Sequence, residues 1–503
     1  MPYYYGTVGD DVINGSDWDD YIYGGPNGYY WDGPGRDTLY GNGGNDYLYG
    51  GESADKLYGG AGNDYLNGYT GNDEYYFSGS FGQDTIEDYY GSNKVVFTDL
   101  DISDVSFEYD GDDLFIMKNG SSDRVAIRDY HDYSGYYTIQ FADGIWTNGP
   151  TNGNDTLIGT WGDDRIDALA GNDSVSGGWG NDTLTGNTGN DRLYGEGGDD
   201  WLIGGPGNDV LDGGVGSDWA NYWRDGGTGG VTVDLALGRA TRGGETDTLY
   251  SIENVGGTDY NDTIKGNSLA NYLTGGNGND SIYGVDGNDL LAGGNGNDLL
   301  DGGTGSDTVT YEVSGAAVKI DLGLAKGMRG SEVDRFVGIE NAKGSSFADE
   351  IRGSSGANEL NGLGGNDTLY GGAGNDVLYG GTGNDRIIGQ TGYDRMYGEA
   401  GKDVFDINPG DTGIGPGHRD IIVDFQRGSD KIDLASFDAN ASRAGDQAFT
   451  FIGTNGFTAA GQLHYLYDGS NTIVQASTDA DSQPELEIQL TGRIALTAAD
   501  FVL

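Results

Sequence analysis

Between Gly362 and Phe405 the chain reads GLGGNDTLYGGAGNDVLYGGTGNDRIIGQTGYDRMYGEAGKDVF, one nine-residue phrase restated without a gap. The phrase is Gly-Gly-x-Gly-Asn-Asp-x-Leu-x, so Asp367, Asp376, Asp385, Asp394 and Asp403 stand in strict register at its sixth position. Self-similarity at such a fixed period is the signature of a repeat architecture, here a parallel β-helix in which each phrase stacks on others.

Each position has a physical task. Glycine supplies backbone with φ > 0 and lets carbonyl oxygens crowd together. Aspartate supplies a hard carboxylate oxygen of the kind Ca²⁺ takes, six to eight of them at about 2.3–2.6 Å. The eighth residue is the inward side chain of a short strand. Two phrases make one turn of a flattened helix, so loops i and i+2 lie one strand spacing apart, ~4.8 Å. An ion between them would take a carboxylate from each loop and complete its shell with carbonyls. A single Gly-Asn-Asp is ordinary turn composition; its repetition in register is what points to calcium. Mg²⁺ fits less well, because it demands a tighter octahedron.

The same phrase recurs upstream. A first block over 6–87 places Asp11, Asp20, Asp37, Asp46, Asp55, Asp64 and Asp73 at the sixth position, and Asp84 in GSFGQDTIE fits after a short slip. The stretch GGPNGYYWDG between Asp20 and Asp37 is expected to protrude as a loop. Ser53-Ala54 lacks the fourth-position glycine, so a poorly formed loop is expected there. A second block over 150–221 carries Asp155, Asp164, Asp173, Asp182, Asp191, Asp200, Asp209 and Asp218. A third over 257–310 carries Asp262, Asp280, Asp289, Asp298 and Asp307, and a fourth over 344–406 opens with Asp349. Asn271 and Asn358 stand where an Asp is expected and offer only a neutral ligand.

Between the blocks lie other modules. Residues 88–149 alternate apolar and polar in short runs such as VVFTDL, DLFIMKNG and YTIQFADG, which predicts antiparallel strands in an insertion or cap. Insertions at 222–256 and 311–343 share a VTVDL or VKIDL strand, a Gly-rich turn and a closing Ile-Glu-Asn. The chain is thus a repeat of repeats with a period of roughly 90 residues. Residues 407–503 lose the period and gain apolar strands, which predicts a separate β-rich domain. The expected fold is all-β: parallel β-roll (flattened β-helix) stacks with β insertions and this C-terminal domain.

Charge agrees with a metal-dependent fold. With 81 acidic and 26 basic residues the net charge is −55, which repels nucleic acid and anionic membrane and opposes collapse. Only 35% of residues are hydrophobic, so the repeats should be disordered without counter-ions. No apolar run approaches the ~20 residues of a membrane span. The start, MPYYYGTVGDDVING, is not a secretory signal peptide, so a secreted chain would carry its address elsewhere. Cysteine is absent, which excludes thiolate metal sites.

The blocks resemble the repeats-in-toxin (RTX) family of hemolysin-type calcium-binding proteins. That resemblance implies that pairs such as Asp367/Asp385, Asp376/Asp394, Asp173/Asp191 and Asp280/Asp298 share ions, roughly twenty or more Ca²⁺ in all. RDIIVDFQRGSDKIDL and GQLHY resemble the C-terminal domain of serralysin-type secreted proteins. There an acidic residue followed by apolar ones, here Asp500-Phe501-Val502-Leu503, belongs to an uncleaved signal for bacterial type I secretion machinery. The alternative is an ordinary final strand.

Catalytic signatures are missing: no HExxH, no GxSxG, no GxxxxGK[ST], and only His131, His418 and His464. His464 alternates with apolar residues and reads as structural. Position-nine tyrosines (Tyr40, Tyr49, Tyr58, Tyr194, Tyr283, Tyr370, Tyr379 and Tyr397) are expected to form outward ladders, either as cross-rung packing or as a sticky face. The expected function is a secreted calcium-binding structural or adhesive protein. It would fold on extracellular Ca²⁺ and assemble at a cell surface, in matrix or in a surface layer through self-association or cell-surface glycan. The alternative is an extracellular polysaccharide-acting enzyme, lyase or epimerase, or the targeting module of a secreted hydrolase.

Overall fold

The computed structural model describes all residues except 27–34, 102–103, 111–112, 129–136, 143, 147–151, 160, 224, 441–444, 480 and 482. Half of the chain is strand and 2% helix, the all-β class expected. The chain divides into two units, Met1–Trp201 with Gly213–Gly216, and Leu202–Asp212 with Ser217–Leu503.

The nonapeptide dictates the ladder. Thr368–Gly374 pairs in parallel with Arg386–Gly392, and Val377–Gly383 with Arg395–Gly401, so each residue faces the one two phrases on. Alternate phrases therefore belong to opposite sheets. Between those sheets the eighth-position side chains form the core: Leu369, Leu378, Ile387 and Met396 are fully buried, as are Leu39, Leu48, Leu57 and Leu66 in the first unit. Sequence alternation places the neighbouring seventh and ninth side chains outward, half-buried against their rung neighbours.

In the first unit, the described residues between 3 and 146 build an eight-stranded and a seven-stranded sheet. The loop at Ser53-Ala54 is in register after all. Ser53 takes φ +84° in place of the missing glycine, and Asp55 is buried at its usual place. Much of the predicted protruding loop lies outside the described residues. The antiparallel reading of 88–149 holds only in part. Val105–Asp110, Asp113–Lys118 and Arg124–Ile127 are antiparallel, and Tyr137–Phe141 turns back on Gly144–Trp146. Asn93–Phe97, however, lies parallel between Glu74–Phe77 and Tyr137–Phe141, and Arg124–Ile127 adds in parallel to Gln83–Ile86. Alternation of apolar residues reports a half-buried strand and is silent on its direction.

In the second unit each insertion is absorbed as extra rungs. Thr232–Asp234, Arg239–Arg242 and Glu245–Tyr250 form an antiparallel meander whose outer strands pair in parallel with rungs of the roll. Lys319–Asp321, Lys326–Arg329 and Glu332–Val337 repeat this. The shared Ile-Glu-Asn is a splice. Glu253 and Glu340 accept the amides of Asp218 and Asp307, while Asn254 and Asn341 donate to Ser217 and Ser306. The C-terminal region continues the roll through Asp420–Ile422 and Lys431–Asp433, then adds the antiparallel sheet Gln462–Asp468, Asn471–Ser477 and Leu486–Leu490. The final Phe501–Val502 pairs with Ile432–Asp433, so the tail is a strand in the folded chain.

Candidate metal centres

Parallel pairing two phrases apart stacks the sixth-position aspartates, and one hydrogen bond recurs along each stack. The backbone N–H of Asp367 donates to Oδ1 of Asp385 at 2.8 Å, Asp376 to Asp394 at 2.9 Å, Asp173 to Asp191 and Asp280 to Asp298 at 2.8 Å. These are the pairs expected to share ions. The same contact joins Asp37 to Asp55, Asp46 to Asp64, Asp155 to Asp173, Asp164 to Asp182, Asp182 to Asp200, Asp289 to Asp307 and Asp385 to Asp403. Asp209 and Asp218 are buried in the second unit, and Asp155 and Asp164 half-buried in the first.

The second carboxylate oxygen is the informative one. Oδ2 of Asp46, Asp55, Asp64, Asp73, Asp173, Asp182, Asp280, Asp289, Asp298, Asp307, Asp367, Asp376, Asp385, Asp394 and Asp403 is buried and accepts no hydrogen bond. An ionised oxygen left so costs several kcal/mol, roughly, unless a cation meets it. A carbonyl converges on the same space. A Cβ added to Gly371 would lie 2.6 Å from Asp376 Oδ2 and 2.5 Å from the Gly389 carbonyl oxygen. At Gly284 the corresponding distances are 2.1 Å to Asp289 Oδ2 and 2.6 Å to the Gly302 carbonyl. The first-position glycine thus keeps open a cradle of hard oxygens, the donor set Ca²⁺ takes.

Electrostatics agree. Burial, with the stacked carboxylates of Asp385 and Asp349 adding to it, raises Asp367 to about 8 from 3.8 against the opposing Asp349 amide. Burial likewise raises Asp55 and Asp280 to about 8 and Asp46 to about 7, again with neighbouring aspartates contributing. In the absence of a cation these sites favour a proton.

Other aspartates have donors of their own. Asp262 Oδ2 accepts the Thr258 amide at 2.6 Å and its Oδ1 the Thr258 hydroxyl at 2.9 Å; Asp349 accepts the Ser345 amide and hydroxyl at 2.6 and 2.9 Å. Thr7 and Ser16 serve Asp11 and Asp20 in the same way. At Asn271 the side-chain Nδ2 donates to the Glu253 carbonyl at 2.7 Å, and Asn358 does the same to Glu340. There an amide stands where a stacked carboxylate would need an ion. Within the insertions, Tyr222 and Tyr311 hydroxyls donate to Oδ2 of Asp247 and Asp334 at 3.2 and 2.6 Å.

Two aspartates outside the expected set share the stacking hydrogen bond and the unpartnered oxygen. Asp84 Oδ1 accepts the Asp64 amide and Asp420 Oδ1 the Asp394 amide, at 2.9 and 3.0 Å, and each Oδ2 is buried without a partner. Their offsets of 20 and 26 residues break the period, but the Asp-x-apolar signature survives in DTI and DII. His464 sits between the Asn455 carbonyl and Gln475 Oε1, both at 2.8 Å, with Phe457 against its ring. The tyrosine ladders form where tyrosines face one another: Tyr40–Tyr58–Tyr76 at 4.6 and 4.5 Å, Tyr23–Tyr49 at 5.1 Å and Tyr379–Tyr397 at 4.7 Å. Tyr370 instead stacks under Arg352, and Tyr283 faces Lys265 and Asp301.

The RTX calcium-binding nonapeptide repeat (4 copies) profile matches at 5–26, 29–57, 40–75, 49–86, 151–184, 185–220, 256–291 and 274–309. The Peptidase M10 serralysin C-terminal profile matches residues 354–503. No curated protein matches the chain. Among solved structures, the chain is similar to the AlgE6R3 and AlgE6R2 subunits of the Azotobacter vinelandii mannuronan C5-epimerase. The first is 28% identical over 31% of this chain and 78% of that one, with a TM-score of 0.15. The second is 26% identical over 32% and 91%, with a TM-score of 0.16. The extracellular lipase LipA from Serratia marcescens is 16% identical over 48% of this chain and 40% of that one, with a TM-score of 0.15.

Proposed function

The chain is an RTX calcium-binding nonapeptide-repeat protein with a serralysin C-terminal domain, and from that premise we propose a secreted structural or adhesive protein that folds on extracellular calcium. The observation that carries the reading is the row of buried Oδ2 atoms that accept no hydrogen bond, those of Asp46, Asp280, Asp289, Asp307, Asp367, Asp376 and Asp385 converging with a glycine carbonyl on the space beside a first-position glycine. The sixth-position aspartates with such an atom are the proposed ligands, and Asp84 and Asp420 join them. Asp11, Asp20, Asp262 and Asp349, already served by Thr or Ser, are proposed as the weaker sites.

Calcium at about 10⁻⁴–10⁻³ M, the range of extracellular modules, would drive folding outside the cell and leave the chain threadable inside it. The tail supports that order of events. In the fold Phe501 is buried and Asp500 is held by the Thr497 amide and hydroxyl at 2.7 and 2.9 Å. A type I signal in this tail would be readable only before the roll closes over it.

Exposed aromatic surface supports adhesion or assembly. Trp161 and Trp179 are 55% and 63% exposed with ring centroids 6.4 Å apart. Electron microscopy of the purified protein with and without Ca²⁺ tests the proposal. Ordered sheets or filaments that vanish in chelator are expected; dispersed monomers that bind or cleave a polysaccharide would replace it with the enzyme-module reading.

A further inference from the structure

The two insertions of the second unit are near copies that part at one decisive position. Each is docked on its roll by the same bond: Val231 and Val318 donate their amides to Oδ1 of Asp262 and Asp349, both at 2.7 Å. Immediately before those aspartates the first copy has Asn261 and the second Ala348. Asn261 Oδ1 accepts the Asn279 amide on the next rung at 2.7 Å, and Asn279 Oδ1 accepts that of Asn297 at 2.9 Å. The fifth position thus runs as a ladder along the outside of the roll. Ala348 has no oxygen to offer, so the corresponding ladder starts only at Asn366, which accepts the Asn384 amide at 2.7 Å.

The rungs keep the same register in both copies, Thr263 against Ser281 and Glu350 against Thr368. The Asn366 N–H therefore points into the space that the shorter Ala348 side chain leaves. Among the described residues neither that N–H, nor the exposed Asn366 Nδ2, nor the Thr368 hydroxyl has a hydrogen-bond partner. Ladders also start at Asn288 and Asn375, after Ala270 and Ala357. At Asn366 the insertion strand Lys319–Asp321 stands beside the start and turns it into a groove of about 470 Å³, the size of a small-ligand cleft.

The charges in the groove are already answered. Lys319 Nζ pairs with one Glu350 oxygen at 3.0 Å, and Arg352 donates to the other at 2.8 Å. Asp349 accepts from Val318 and Ser345. What is unanswered is an amide N–H beside the methyl groups of Ala317 and Ala348, with Met328 as a further apolar wall. A carbonyl oxygen that carries a methyl group, the acetamido group, meets both needs: the oxygen accepts from Asn366 and the methyl packs on the alanines. The idle Thr368 hydroxyl and Asn366 Nδ2, beside the Lys319–Glu350 pair, suit a body rich in hydroxyls rather than an alkyl chain.

We propose that this groove binds the acetamido group of an N-acetylated amino sugar. The assignment rests on the adhesive reading above and gives it a ligand class, the N-acetylhexosamine units of a glycan. Asn366 N–H holds the acetamido oxygen, Ala317 and Ala348 receive the methyl, and Thr368 and Asn366 Nδ2 meet ring hydroxyls.

Saturation-transfer NMR of the full-length, calcium-loaded protein with methyl N-acetyl-β-glucosaminide tests this, with methyl β-glucoside as the probe that lacks the acetamido group. Saturable binding of the first, strongest at its acetyl methyl, and none of the second is expected. A348N supplies the missing ladder oxygen and fills the groove, so it should weaken binding by about tenfold or more. T368V should weaken it by about threefold or more, and S281A in the first copy should leave it unchanged, with circular dichroism confirming that each variant folds. Equal binding of the glucoside, A348N without effect, or Nε-acetyl-lysine binding as tightly as the glycoside would overturn the proposal. Absence of saturable binding would overturn it too, while calcium-dependent sheets in electron microscopy would still uphold assembly, so the two readings fail separately.

Discussion

In chelator, acid should do what calcium does. Among the described residues, ten aspartates are raised chiefly by burial to about 7 or above: Asp46, Asp182, Asp298 and Asp394 to about 7, Asp55, Asp73, Asp280, Asp367 and Asp420 to about 8, and Asp84 to about 9. In the unfolded chain these carboxyls ionise near 3.8. A folded-state value above the unfolded one means stability that is complete below about 3.8 and lost as pH rises through the folded values, from about 6 to about 9. Near pH 6 the metal-free roll therefore binds on the order of ten more protons than the unfolded chain, or about half that where stacked neighbours share one.

The assay is far-ultraviolet circular dichroism in EDTA as pH is lowered from about 8 to about 5. Calorimetry in two buffers of different ionisation enthalpy counts the protons taken up. Little β signal at the alkaline end and cooperative recovery on acidification are expected. The calcium-loaded protein should show the converse, releasing protons when the metal binds at neutral pH, because both ions compete for the same Oδ2 atoms. A chelated chain with full β signal at pH 8, or one still unfolded at pH 5, would refute the reasoning.

Other perturbations test single features. G371A places a methyl 2.6 Å from Asp376 Oδ2 and 2.5 Å from the Gly389 carbonyl, so calcium stoichiometry by equilibrium dialysis should fall by about one ion. Y311F strips the hydroxyl from buried Asp334 Oδ2 and should cost about 1–3 kcal/mol in thermal or urea unfolding of the calcium-loaded protein. N358D replaces the amide that serves the Glu340 carbonyl with an acid, so the calcium concentration at the folding midpoint should rise. F501A removes a buried ring packed 5.3 Å from Phe451 and should destabilise the C-terminal region by roughly 3–5 kcal/mol, read by urea unfolding.

The register of the roll and the rows of acids were legible from residue order alone. A nine-residue phrase with two phrases per turn must set Asp367 over Asp385 and Leu369 over Ile387, because parallel pairing at an offset of 18 is the one arrangement that keeps every eighth residue inside. Strand direction in 88–149 was not legible, since alternation is the same for either direction. What only the tertiary structure decided is which carboxylates lack a partner. The amides and hydroxyls of Thr258 and Ser345, four residues before their aspartates, could have been seen in GT and GS where other phrases carry GG. Tyr222 and Tyr311 could not, because they reach Asp247 and Asp334 across 25 and 23 residues of insertion. Nor could Asp420, which joins its stack at an offset of 26 residues; Asp84 was legible as a phrase after a short slip, and only its offset of 20 was not. Periodicity specifies where an oxygen is placed. Whether it requires a cation depends on donors that chain folding brings from outside the period.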